Sequence, residues 1–316
     1  MRVIPRFPLI NLSIDAELYR KNSSEWFNSL NNLPEDTLLF IISKNYAHFT
    51  DLHSKTHLQL VPVYSALRDG SNFSRNTDLA QINQSGNLIS PYYCPNNPKV
   101  VSLIKNDFES LHEASPIAGI LLDSLEIPFQ PPIIGCFCAY CSTLAEEKGI
   151  NLSQISHEIT RKMKNGVNWN WVTKNYPEWL QFRVDSISNL AGKLMITIRK
   201  LEPNIFLGMT VPFSYTPEMF GHDYFFLSLY LDLLNFSVNE NILGSKKKLL
   251  KQIRAVAKKF IGEYRIFLQM KVPHELNVSE IKMGINTLKK NSFDGLIFHV
   301  STLNELKKII KIGVLG

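Results

Sequence analysis

Cysteine is scarce in this chain, with four residues in 316. No apolar run reaches the ~18 residues that a membrane-spanning helix requires, so no membrane partner is expected. The N-terminus, MRVIPRFPLINLSID, carries prolines at 5 and 8 and has no apolar h-region with a small-residue cleavage site. No signal peptide is read there, and a cytoplasmic location is expected. The chain has no glycine-rich phosphate loop, no G-x-G-x-x-G after a candidate strand, no nucleophile elbow and no H-E-x-x-H. It also lacks internal repeats and low-complexity tracts. Charge of one sign is in slight excess only, with a net +6. The densest basic stretch, SKKKLLKQIRAVAKKF at 245–260, sets Leu249, Leu250, Ile253, Val256, Ala257 and Phe260 at helical spacing. Its lysines therefore read as the solvated outer face of a helix, and no nucleic-acid partner is expected.

What is present describes a globular protein with a large core. Hydrophobic residues make up 45% and charged residues 20% of the chain. Eight short apolar runs, rich in β-branched residues, fall at 7–14, 37–43, 58–64, 117–123, 205–211, 231–238, 265–272 and 294–300. They are nearly continuous in hydrophobicity, as strands buried on both faces are. Helical patterns lie between them at 16–32, 98–114, 178–201, 245–260 and 278–291, with a last one at 302–312. The connection 44–57 is short enough to hold only a helical turn. Eight strands alternating with helices predict an α/β fold, a (β/α)8 TIM barrel, as one domain over 1–316. Two long insertions, at about 65–97 and 124–177, follow the third and fourth strands. Both sit on the C-terminal face, where such barrels build their sites.

Three of the four cysteines fall in six positions, CFCAYC at 136–141, and the fourth is Cys94 in YYCPNNP. A disulfide pair, four independent buried thiols and a metal site are the three available readings. The absence of a signal peptide argues against the first. Clustering argues against the second. The third has Cys136, Cys138 and Cys141 surrounding one ion from a tight loop, with Cys94 closing a tetrahedron from the other insertion. Four thiolates fill the coordination sphere of zinc, so the ion would be structural.

The spacing C-x41-C-x-C-x2-C resembles that of the β-galactosidases of glycoside hydrolase family forty-two. Those barrels carry a four-cysteine zinc site shortly after the fourth strand. The segments YYCPNNPKV, GILLDSLEIP, CFCAYCSTLAEEKGI and WLQFRVDSISNLAGKLMITIRKLEPNIFLG also resemble uncharacterised glycosidase-like barrels, so that the likeness covers roughly residues 57–240. It implies a barrel that acts on, or binds, a carbohydrate at its C-terminal mouth. In the family an Asn-Glu pair ends strand four and supplies the acid/base. Here LLDSLEIP offers Asp123 and Glu126, and Leu125 precedes Glu126. The family's nucleophile is a glutamate at the end of strand seven. Here that strand reads RIFLQMKVPHEL, with Gln269 and Lys271 at its end and Glu275 beyond Pro273.

Hydrolysis of a glycoside usually takes two carboxyl groups. Glu126 is the first candidate for proton donor and Asp123 the second. If the strand ran on to Glu126 the two side chains would point to opposite faces, whereas a turn after Asp123 would let both reach the mouth. Asp15, Asp69, Asp223 and Glu240 also follow candidate strands. His222 and Asp223 in GHDY are a possible base and orienter, with a helix N-cap the alternative for Asp223. Tyr64, Tyr93, Trp169 and Tyr215 are the candidate sugar-stacking residues, beside Tyr92, Trp171 and Phe213, and His299 reads as a core or mouth histidine. Two functions remain open: a glycoside hydrolase, and a non-catalytic relative that binds a sugar or a protein partner. A homo-oligomer is compatible with either.

Overall fold

The computed structural model describes residues 10–15, 23–43, 45, 47–69, 72–129, 134–163, 169–212, 217–238, 265–271 and 294–311. Ten strands are described. β1 (Ile10–Asp15), β2 (Leu38–Ile42) and β3 (Gln59–Ser65) are followed by a short hairpin, β4 (Ala80–Ile82) and β5 (Leu88–Tyr93). Then come β6 (Gly119–Asp123), β7 (Phe206–Pro212), β8 (Leu233–Val238), β9 (Arg265–Lys271) and β10 (Gly295–Val300). Leaving out the hairpin, the eight strands pair in parallel in chain order, and β10 pairs with β1 to close the ring. They coincide with the eight apolar runs of the sequence.

Strand alternation divides the apolar residues between two environments. Phe40, Val61, Leu121, Phe206, Leu233, Phe267 and Ile297 pack on one another inside the ring. Their neighbours, among them Leu39, Leu60, Ile120, Leu122, Leu234 and Phe298, pack outward with helix residues. Burial on both faces is why the runs are continuous and not alternating. The rings of Phe206 and Phe267 fill the space in front of Gly119 and Gly295, where a Cβ would meet them at 2.4 and 2.6 Å. Burial of each such ring contributes ~2–3 kcal/mol. The lumen turns polar further along the strands. Asn235, fully buried, donates through Nδ2 to Gln269 Oε1 at 2.6 Å and to Thr210 Oγ1 at 3.2 Å.

Helices follow most of the described strands. These are α1 (Ser23–Leu30) after β1, α2 (Ala47–Lys55) after β2, and α3 (Pro98–Ala114) after the hairpin. The insertion after β6 holds α4 (Ala139–Glu147), α5 (Leu152–Met163) and α6 (Trp169–Asn175) before the long α7 (Pro177–Leu201). A one-turn α8 (Tyr224–Ser228) follows β7, and α9 (Leu303–Lys311) follows β10. α3 starts where Asn97 Oδ1 accepts from Lys99 N at 3.1 Å with Pro98 in the first turn, a standard N-terminal signal. The segment 44–57, expected to hold one turn, carries the nine-residue α2. Phe49 and Leu52 anchor it in the core, and two apolar anchors with a polar remainder give too weak a period to read from sequence. The expected helices at 245–260 and 278–291 lie outside the described residues. Among the described residues, no helix is long and apolar enough to cross a membrane.

Candidate functional site

The two insertions meet at the cysteines. β5 delivers Cys94, whose N–H donates to Leu79 O at 2.7 Å, and Phe137 N donates to Ile82 O at 2.6 Å, joining the hairpin to the cysteine loop. Cys138 stands at the N-terminus of α4 and Cys141 in its first turn. All four thiols are free and buried, and their Sγ atoms lie within 4.8 Å of one another. Cys94 Sγ is 3.5 Å from Cys141 Sγ and 3.4 Å from Cys138 Sγ. A tetrahedron of sulfurs at ~2.3 Å from a central ion has edges of about 3.8 Å, so the four could hold a metal ion after small adjustments. The electrostatics agree with that donor set. Contacts from Cys136, Cys141 and Cys94 draw the Cys138 thiol far below its usual range, and contacts with Cys136 and Cys138 push Cys94 and Cys141 up. One thiolate thus opposes the next unless a cation sits among them. Asn96 Nδ2 supports the cluster from outside, donating to Cys141 Sγ at 3.3 Å and to Ser186 Oγ at 3.0 Å.

The carboxylates stand at the end of β6. Asp123 is its last residue and shares the parity of Leu121, hence the lumen face. Ser124 follows with φ 52°, the left-handed region that side chains other than glycine rarely enter. That turn ends the strand and removes the opposite-face relation a continuing strand would impose. Glu126 is consequently close enough to Asp123 to feel its charge. Its carboxyl is pushed up to about 7, first by burial and then by Asp123, against the pull of Arg68 and Arg183. Asp123 is raised by burial but held back by the hydroxyl and N–H of Ser124, whose Oγ donates to Asp123 Oδ2 at 2.9 Å. The pair is therefore set so that Asp123 ionises before Glu126.

Arg68 and Tyr92 complete this neighbourhood. Ala66 N donates to Asp123 O at 2.8 Å, Tyr93 N to Leu67 O at 2.8 Å, and Arg68 bridges to Tyr92, so the segment after β3 is laced between β6 and β5. The guanidinium of Arg68 lies 5.9 Å from the Tyr92 ring centroid. Burial and the charge of Glu126 raise the Tyr92 phenol. Arg68 escapes a sequence reading, because one arginine in SALRDG carries no pattern; only the lacing brings it to the carboxylates.

Other sequence candidates have different positions. Tyr64 faces out of the barrel against α3, edge-on to Phe108, and its hydroxyl donates to Asp107 Oδ2 at 2.6 Å. Tyr93 is 1% exposed, stacks on Phe73 and donates to Asp69 Oδ2 at 3.4 Å. Tyr64 thus packs on α3 from the outward parity of β3, and Tyr93 lies buried against Phe73 at the end of β5. Trp169 opens α6, and Tyr215, Phe213, Glu240 and Glu275 lie outside the described residues. Trp171 packs edge-on to Tyr176 under Lys162. Asp223 caps α8, accepting from Phe226 N at 3.0 Å. His222 is buried with Nε2 donating to Leu125 O at 2.8 Å, and burial lowers it to about 4, so it is neutral at pH 7.

No family model matches the chain, and no curated protein matches it by sequence. Solved structures do match. The chain is similar to a β-galactosidase from the Antarctic haloarchaeon Halorubrum lacusprofundi, with TM-score 0.65 and 11% identity over 92% of this chain and 52% of that one. It is similar to the β-galactosidase of Bacillus circulans, with TM-score 0.66 and 12% identity over 94% and 51%. A GH42 β-galactosidase from G. stearothermophilus matches with TM-score 0.61 and 9% identity over 93% and 51%. The fold is one that glycoside hydrolases use. The chain spans about half the length of these neighbours. At such identities the likeness is one of fold, and it agrees with the family that the cysteine spacing resembles.

Proposed function

We propose that the chain is a glycosidase-like (β/α)8 barrel, one domain over 1–316, whose C-terminal end takes a carbohydrate and hydrolyses a glycosidic bond. The observation that carries this reading is the carboxyl pair at the end of β6, with Glu126 held protonated near neutrality beside an Asp123 that ionises first. A protonated carboxylic acid at that point can give its proton to a leaving glycosidic oxygen. Asp123, on the lumen face, is placed to stabilise positive charge or to orient a hydroxyl. Arg68 and Tyr92 line the same spot and offer a donor and a ring face to a sugar. Trp169, from the insertion after β6, and Tyr215, which follows β7 in sequence, stay in the proposal as ring faces. The cysteines would hold zinc, with Cys94, Cys136, Cys138 and Cys141 as its four ligands. With no open position, zinc supplies structural cross-linking of the two insertions and no chemistry on the sugar. The free clustered thiols fit a reducing compartment, the cytoplasm.

A second reading rests on one observation. At the end of β9, Gln269 is engaged by Asn235 in the lumen, where the resembled family has its glutamate nucleophile. That favours a barrel that binds a sugar without cleaving it. The deciding experiment is turnover of a panel of aryl glycosides by wild-type protein and Glu126→Gln. Loss of about 10²–10⁴ in rate on poor leaving groups, with a smaller loss on activated ones, identifies Glu126 as the acid. No turnover by the wild type, with a sugar that raises its melting temperature, establishes the binding reading.

A further inference from the structure

Arg183 projects from α7 into the space between the cysteine cluster and the loop that carries Glu126, and it is 2% exposed. Every hydrogen bond described for its side chain goes to a backbone carbonyl. Nη2 donates to Ile127 O at 2.8 Å, Nη1 to Ile134 O at 2.9 Å and Nε to Met219 O at 3.0 Å, and Nη2 also reaches Met219 O. Ile127 follows Glu126 directly, and Ile134 lies two residues before Cys136. The rings of Trp179 and Phe129 enclose the guanidinium at 5.0 and 5.6 Å from their centroids. The loop is shaped to it. Gly135 has φ 141°, and a Cβ there would stand 2.5 Å from Arg183 Nη1.

The peptide segment on either side of Glu126 is fixed by the same group of residues. His222 Nε2 holds Leu125 O at 2.8 Å, Ile127 N donates to Phe220 O at 3.0 Å, and Arg183 takes Ile127 O. A buried cation also needs countercharge, because burial alone drives a guanidinium toward its neutral form. Burial is the main influence on Arg183, lowering it to about 9, and Cys141, Cys136 and last Glu126 oppose that effect when they are ionised. One side chain thus holds the peptide after Glu126 and the segment that leads into the cysteine loop at once.

We propose that Arg183 is a positioning residue that couples the two sites: its guanidinium fixes the backbone beside Glu126 and ties it to the segment leading into the cysteine cluster, so that an ordered cluster and a correctly placed Glu126 depend on each other. The inference rests on the reading of Glu126 as the acid, but its test needs no turnover. The groups that face Glu126 are Asp123 from β6, Arg68 from the segment after β3, Tyr92 from β5 and Arg183 from α7, with neutral His222 behind Leu125.

The test compares wild type, Arg183→Met and Arg183→Lys, each loaded with zinc. Release of zinc to a chelator is one readout. The other is the titration midpoint of the Glu126 carboxyl, followed by infrared difference spectroscopy and assigned by its loss in Glu126→Gln. Arg183→Met is expected to release zinc about tenfold faster and to raise the Glu126 midpoint by about one pH unit, since a favourable charge is gone. Arg183→Lys keeps the charge but not the three-carbonyl fork, so it should restore the midpoint and leave release fast. Stripping zinc from the wild type should lower the midpoint, because protonating thiols removes negative charge and a looser loop admits water. A folded Arg183→Met with unchanged release and midpoint overturns the proposal. If that variant does not fold, an Arg183→Lys that releases zinc at the wild-type rate, or a wild type whose midpoint ignores zinc removal, overturns it instead. Failure to cleave any glycoside would refute the hydrolase reading and leave these readouts standing.

Discussion

Replacing Glu126 by glutamine is expected to stabilise the protein above neutrality and to change little in acid. The carboxyl stands at 4.5 in an exposed chain and at about 7 in the fold. Between those values the unfolded chain gives up the proton and the folded protein keeps it, so the wild type loses stability as pH rises through this window. Below the window the acid is neutral in both states and glutamine is a near-isostere. Above it, each factor of ten between the two ionisation constants costs about 1.4 kcal/mol, and the displacement amounts to about 3 kcal/mol. Glu126→Gln removes that loss, because an amide does not ionise. Urea unfolding of both proteins at about pH 5 and about pH 8 should show the variant's advantage growing by ~2–3 kcal/mol between the two. Asp123→Asn is a second arm. It removes the next largest cause of the displacement after burial, so the growth should shrink. An advantage that is the same at both pH values would show that Glu126 is not held protonated, and the acid assignment would fall with it.

Cys138→Ser is expected to abolish stoichiometric zinc and to lower the melting temperature while leaving the barrel's circular dichroism intact, since the cluster ties insertions and not strands; four freely titrating thiols and no metal in the wild type would contradict the site. Tyr64→Phe is expected to cost about 1–2 kcal/mol in stability through the lost bond to Asp107 and to leave sugar binding unchanged, which calorimetry can check. A loss of sugar binding in that variant would return Tyr64 to the site.

The strands were the most legible part of the chain. Runs such as IAGILLD and DGLIFHV bury both faces, so a strand assignment needs only their length and bounding residues. The cysteine cluster was legible for a different reason: thiols are rare, and their spacing constrains geometry whatever the fold. The turn at Ser124 was not. Serine has no special claim to positive φ, and only the structure shows that the strand ends there in a left-handed residue. The facing of Tyr64 and Tyr93 was not legible either, because an aromatic near a strand end looks the same whether it faces a helix or a cavity. The face is decided by register, and register follows from the closed ring of pairings. Arg183 was hidden within an amphipathic helix pattern, where an arginine ordinarily lies on the solvent side.

The structure separates two tasks that sequence alone runs together in the stretch 123–141. Asp123 and Glu126 are carboxyls with the same intrinsic chemistry, and their difference comes from what surrounds them. Burial raises both; Ser124 stabilises the anion of Asp123, whereas Glu126 is raised further by that anion. The first proton is therefore lost from Asp123 and the last from Glu126, the division that acid catalysis requires. The cysteines do not take part in that division directly. They set where the loop after β6 lies, and Arg183 carries their order to Ile127, one peptide from Glu126. Loop position then fixes how dry Glu126 is, and dryness is the largest cause of its raised ionisation. A structural site about the cysteines and an acid at the end of β6 are on this account parts of one device, since loosening the first admits water to the second and returns it toward an ordinary carboxylate that cannot hold a proton at pH 7.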